Sequence, residues 1–152
     1  MPQIKSDIVE VFVVRWRNAQ FETLLGERQS VQGLGRLWQP FSVRLDSSEP
    51  TIEAAKRAVS GSAGLRVAEL YSSDRMHQFF DHQRDVVVIA PVLAATVHAT
   101  TAKAGVEFSQ IEWCNATTAR ARLALAGHRD AFARIAELLG PGGAELELYR
   151  LI

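Results

Sequence analysis

Residues 86–97, VVVIAPVLAATV, are apolar almost from end to end. That run constrains the fold more than any other stretch, because a segment this apolar reads as a central strand covered on both faces, not one with a wet side. It is too short for the roughly 20 residues of a membrane-crossing helix, and Pro91 interrupts it. It falls within the strand-like run 84–97, and residues 66–80 form a second such run, joined to it through DHQ at 81–83.

The remaining segments supply neighbours for that strand. DIVEVFVVRW at 7–16 is rich in Val and Phe, and FETLLGER at 21–28 follows the short turn NAQ, which predicts an antiparallel hairpin. QSVQGLGR at 29–36 has two glycines and no apolar period, and reads as a loop. LWQPFSV at 37–43 is a third short strand, broken by Pro40. Pro50 suits a first helical turn, and Thr51 to Ala63 places Ile52, Ala55 and Val59 on one face, with Gly64 as terminator. Gly61 inside this predicted helix costs about 0.8–1.0 kcal/mol relative to Ala.

FSQIEWC at 108–114 is a further short strand. Thr117 to Leu139 is rich in Ala, Leu and Arg, and reads as two helices or one helix broken near Gly127. The tail at 140–152, GPGGAELELYRLI, opens on a breaker and then alternates, which suggests a terminal strand or a partner-binding segment. The order of elements predicts an α+β fold with a mixed sheet covered on both faces, built as one domain over residues 1–152.

Charge and cysteine content narrow the partners. Seventeen basic and 17 acidic side chains cancel, so no bulk field favours nucleic acid or an anionic membrane. The single cysteine, Cys114, excludes an internal disulfide framework and reads as a buried, inert thiol. MPQIKSDIVE at the start has no apolar signal core, and a cytoplasmic location is the expectation.

The segment 43–65, VRLDSSEPTIEAAKRAVSGSAGL, keeps the spacing of a known motif. It resembles the Nudix box, G-x5-E-x7-R-E-U-x-E-E-x-G-U with U aliphatic, without a gap. Glu49, Arg57, Val59, Gly64 and Leu65 match the pattern. Val43 replaces the first Gly, Ala58 the Glu after the Arg, and Gly61 and Ser62 the Glu pair. LLGER at 24–28, Trp38-Gln39 and EFSQIEW at 107–113 extend the likeness. The last looks like the E-H-x-x-x-x-W segment of the dATP and dihydroneopterin-triphosphate pyrophosphohydrolase type, with Phe108 in place of the His.

The resemblance to MutT-like Nudix hydrolases implies an α/β/α sandwich around a mixed β-sheet, with the box as loop–helix–loop. In active members the box glutamates hold Mg²⁺ or Mn²⁺, which neutralise the phosphates and activate the attacking water. Here the box is degenerate. The acids left to consider are Glu107 and Glu49 as catalytic groups, and Glu107, Glu49 and Glu53 as metal ligands; Asp46 and Glu53 also fit plain solvated charge. The family uses the Glu49 position partly to brace the box, against Arg57. Arg28, Arg44 and Arg57 are candidate substrate-binding residues, because guanidinium groups grip phosphates with paired bonds.

Each factor of ten in rate is 1.36 kcal/mol of barrier, and a metal with a base supplies several such factors. The expectation is therefore a Nudix-type domain with weak or absent hydrolysis that binds a nucleotide-like ligand or a partner, including a second copy of itself. The alternative is an active metal-dependent nucleoside di- or triphosphate pyrophosphohydrolase with a rearranged acidic site.

His77, His82, His98 and His128 show no close metal-ligand spacing and read as lone surface or strand histidines. Gly33-Leu34-Gly35 lacks the third glycine and the strand-to-helix context of a dinucleotide fingerprint. Ser60 and Ser62 have no paired His and Asp to make a nucleophile. Phe79 and Phe80, beside His77, read as a hydrophobic strand end.

Overall fold

Along β2 (Ile8–Arg17) the side chains divide cleanly between two cores. Val9, Val11 and Val13 join one cluster, while Phe12 and Val14 join the other. Such a division arises when both faces of a strand are covered, since successive side chains point to opposite sides. The computed structural model describes residues 1–28 and 36–152, so the Gly33-Leu34-Gly35 reading and most of the predicted 29–36 loop lie outside the described residues.

β2 pairs antiparallel with β3 (Gln20–Arg28), from Val13↔Leu24 to Arg17↔Gln20. The turn between them is Asn18–Ala19, and both residues have positive φ, 51° and 62°. That is the primed two-residue geometry whose twist matches the flanking strands. β4 (Leu37–Gln39) pairs with β3, whereas β5 (Phe41–Arg44) pairs with β2. The segment expected as one broken strand is thus two strands with different partners. Pro40, which lacks an N–H for any ladder, sits at the exchange.

The box helix α1 (Thr51–Ala63) follows, then β6 (Val67–Asp81) and β7 (Val86–Val97) as a long antiparallel pair. β7 runs parallel to β2 and to β1 (Gln3–Lys5), a short strand that the sequence reading lacks. β8 (Phe108–Asn115) closes the far side against β3. The described strands form one mixed sheet. α1 packs Ala54, Ala55, Val59 and Ala63 on one face of it. On the other face lie α2 (Ala116–Arg122) and α3 (Ala126–Leu139), which contribute Ala119, Phe132 and Ile135.

The break between α2 and α3 falls at Leu123–Leu125, not at Gly127, which is inside the first turn of α3. The tail forms one helical turn, α4 (Ala144–Glu147), before its last residues bond to β6. No helix among the described residues is long and apolar enough to cross a membrane. Cys114 is 2% exposed, and burial pushes its thiol pKa up against the pull of Arg122.

Candidate functional site

The box helix ends under a loop. Gly64 takes a left-handed conformation (φ 65°) and its N–H returns to the Ser60 carbonyl, a position where a Cβ would be strained. The Lys103 and Gly105 N–H groups then bond the Ala63 and Ser62 carbonyls at 2.9 Å each, satisfying acceptors that a helix end leaves orphaned. A Cβ on Gly105 would stand 2.5 Å from the Gly61 carbonyl oxygen and 2.8 Å from Glu107 Oε2, so the loop approaches this closely only with glycine there. Ser62 Oγ donates to Glu107 Oε1 at 2.7 Å. The helix end therefore carries one hydroxyl, one carboxylate and backbone carbonyls.

The loop before α1 is fastened by Arg57. Its Nε and Nη2 donate to the two oxygens of Glu49 at 2.9 and 2.7 Å, and Nη2 also reaches the Arg44 carbonyl at 2.9 Å. The Arg57 guanidinium holds the Glu49 carboxyl below its usual range. Glu49 also accepts from the Asp46 N–H at 3.2 Å. Glu53 pairs with Lys56 at 3.3 Å in the open. Glu49, Glu53 and Arg57 line one shallow groove along the outside of α1, and neither Glu107 nor Ser62 lines it. Arg28 is elsewhere again, in a cleft of about 390 Å³ lined also by Glu10, Gln39, Ser42, Phe79 and His128. The structure thus joins Glu49 to Arg57 and Glu107 to Ser62, without gathering the candidate acids into one cluster.

Glu10, His77 and His128 do gather. Glu10 lies on β2 at an inward position, 6% exposed, with His77 and His128 at 7% and 3%. His77 Nδ1 donates to Glu10 Oε1 at 2.5 Å and His128 Nε2 donates to Oε2 at 2.6 Å. Burial pushes the Glu10 pKa up, but the bonds from His128 and His77 outweigh it and hold the carboxyl down at about 2. Among the described residues this is the one group of three or more His, Cys, Asp or Glu side chains whose ligand atoms converge, all within 4.8 Å of one another. His77 and His128 are therefore not the lone histidines that the sequence suggests. Partners 67 and 118 residues apart leave no spacing to see. The available signal was Glu10 itself, an acid at an inward position between Val9 and Val11 of an apolar strand.

A three-layer fold with this strand order has known counterparts. An Ap4A hydrolase from C. elegans superposes with a TM-score of 0.75 at 16% identity, over 90% of this chain and 99% of that one. The NUDIX domain of Shewanella oneidensis NrtR, solved with ADP ribose, gives 0.72 at 13% identity, covering 90% and 88%. The Nudix hydrolase RenU from M. smegmatis gives 0.70 at 15%, covering 93% and 89%. The chain has the Nudix fold. No family model matches the sequence, and no curated protein matches it.

Within the Nudix fold, the box end of this chain is a poor fit for Mg²⁺ or Mn²⁺. These hard ions want several oxygens in near-octahedral array, mostly carboxylate and phosphate. Ala58 is buried and bears no donor, Gly61 is bare, and the Ser62 hydroxyl is directed to Glu107. Among the described residues no group of three His, Cys, Asp or Glu side chains converges at this helix end.

Proposed function

We propose that this chain is a Nudix-fold domain that binds a nucleotide-like ligand and hydrolyses phosphoanhydride bonds weakly or not at all. The observation that carries the reading is the box end, where a single carboxylate, Glu107, is hydrogen-bonded to Ser62. Binding is supported by the cleft of about 390 Å³, within the range of small-molecule sites, where Arg28, Gln39 and Ser42 supply polar groups and Phe79 an aromatic face. The Nudix domain of NrtR in complex with ADP ribose, and the C. elegans Ap4A hydrolase, point to a nucleoside diphosphate linked to a second group. Arg28 would then grip phosphate. Glu49 and Arg57 act on this reading as a brace for the loop and not as catalytic groups.

Calorimetry with ADP-ribose in the absence of divalent ions, alongside phosphate release from a panel of nucleoside di- and triphosphates with Mg²⁺, tests both halves. Saturable binding weakened by Arg28→Ala, with turnover near background, is the expected result. Mg²⁺-dependent turnover in the ordinary enzyme range, about 1–10³ s⁻¹, and lost in Glu107→Gln, would overturn it.

A further inference from the structure

We propose that Glu10, His77 and His128 form a binding site for a divalent transition-metal ion of the zinc or cobalt type. The site is separate from the box, and stands whether or not the cleft takes a nucleotide. Two imidazole nitrogens and one carboxylate are the donor set that holds zinc with a fourth position left open. Imidazole also suits such ions far better than it suits Mg²⁺.

The cluster is built by three elements distant in sequence. Glu10 comes from β2, His77 from β6 and His128 from the first turn of α3. Gly127 lets that turn lie against the His77 ring: a Cβ there would overlap Cδ2 and stand 2.9 Å from Nε2. The two imidazole rings are 4.5 Å apart. Among the described residues the buried His128 Nδ1 has no hydrogen-bond partner, and the ring's polar contact is with Glu10.

Charge supports the same reading. Glu10 is a buried carboxylate whose only ion-pair partners among the described residues are the two histidines. A histidine is a counter-charge only when protonated, and a bound dication supplies a fixed one. The present N···O separations of 2.5 and 2.6 Å are those of hydrogen bonds. Ligands around a tetrahedral ion with bonds of about 2.0–2.1 Å stand about 3.3–3.4 Å apart, so each N···O pair must open by about 0.8 Å. Each imidazole then offers its lone pair to the ion and carries its proton on the other ring nitrogen. All three residues line the cleft with Arg28 and Ser42, which gives an ion a path in.

The test starts from the intact chain stripped with a chelator, titrated with Co²⁺ by visible absorption and with Zn²⁺ by calorimetry. One equivalent of each is expected, with the intense d–d bands of four-coordinate cobalt. His77→Ala and His128→Ala should each weaken binding by at least about two orders of magnitude. His82→Ala and His98→Ala, both at exposed positions, should not change it. Glu10→Gln keeps the shape and removes the anionic ligand, so Zn²⁺ should raise the melting temperature of the native chain and not of this variant, even if the alanine variants fold poorly. No stoichiometric Co²⁺ or Zn²⁺ binding by the native chain overturns the proposal, and so does binding that survives Glu10→Gln and both alanine changes. In either case the histidines and Glu10 are a metal-free polar core.

Discussion

Ser62 and Glu107 meet in a 2.7 Å hydrogen bond across 45 residues of sequence, at the end of the box helix. The contact ties the loop before β8 to the helix and engages the Glu107 carboxylate. Its neighbour Gly61 makes a contrast, since a Cβ at that position meets nothing within 4 Å. Gly61→Ala should raise stability by about 0.5–1 kcal/mol, because it removes the glycine entropy penalty inside a helix without a clash. Ser62→Ala should lower it by about 1 kcal/mol, through loss of one hydrogen bond to a half-buried carboxylate that water partly replaces. Urea denaturation of the two variants, one residue apart, should therefore give shifts of opposite sign.

Acid should loosen the opposite face of the sheet. Glu10 has a folded pKa of about 2 against an ordinary value of 4.5. A depressed carboxyl stabilises the fold fully above the unfolded pKa and loses that contribution as pH falls through the folded one. The contribution is on the order of 3 kcal/mol, present at neutral pH and withdrawn between about pH 4.5 and 2. Glu10→Gln should be less stable than the native chain at pH 7, with the gap closing across that window. Equal acid sensitivity of both proteins, followed by tryptophan fluorescence, would remove Glu10 from the account.

How much of this was legible beforehand depends on whether the cause is local. The hairpin, the box helix, the β6–β7 pair and the helices over the last face follow from periodicity and punctuation within ten or twenty residues. The strand Gln3–Lys5 is exposed at all three residues and pairs with Val86–Val88 through its backbone, so its side chains carry no pattern. The exchange of partners at Pro40 is a tertiary event: the residues on both sides look like strand, and nothing local says that the neighbour changes. The brace between Glu49 and Arg57 was readable because the motif spacing contains it. The Glu10 cluster was not, because its members come from three distant elements, and only the misplaced acid in an apolar strand hinted at it.

Ala19 is the strained member of its turn. At φ 62° it has the left-handed conformation that costs a residue with a Cβ roughly 1–2 kcal/mol. Asn18, at φ 51°, tolerates the same region better through its short polar side chain. Ala19→Gly converts the turn to Asn-Gly, the favoured pair for this geometry. Part of the relief is returned as unfolded-chain entropy, so a net gain of about 0.5–1 kcal/mol is expected. A thermal melt that shows no gain, or a loss, would place the strain elsewhere.

The chain's last residues cover an edge. β6 pairs with β7 on one side, and on the other the tail bonds it: the Ser72 N–H to the Tyr149 carbonyl at 2.8 Å, the Leu151 N–H to the Leu70 carbonyl at 2.7 Å, and the Leu70 N–H to the Ile152 carbonyl at 3.2 Å. Arg150 adds an ion pair with Glu69 at 3.2 Å. Removing residues 149–152 deletes these backbone bonds, at about 1 kcal/mol each, and leaves unpaired N–H and C=O groups of the kind that recruit another strand. The truncated chain should lose about 2–4 kcal/mol, show faster amide exchange at Leu70 and Ser72, and self-associate in light scattering. Arg150→Ala, which removes only a half-exposed ion pair, should cost no more than about 1 kcal/mol. If exchange at Leu70 and Ser72 is unchanged by the truncation, the tail does not hold this edge in solution. If Arg150→Ala matches the truncation, the ion pair holds it and the backbone bonds do not.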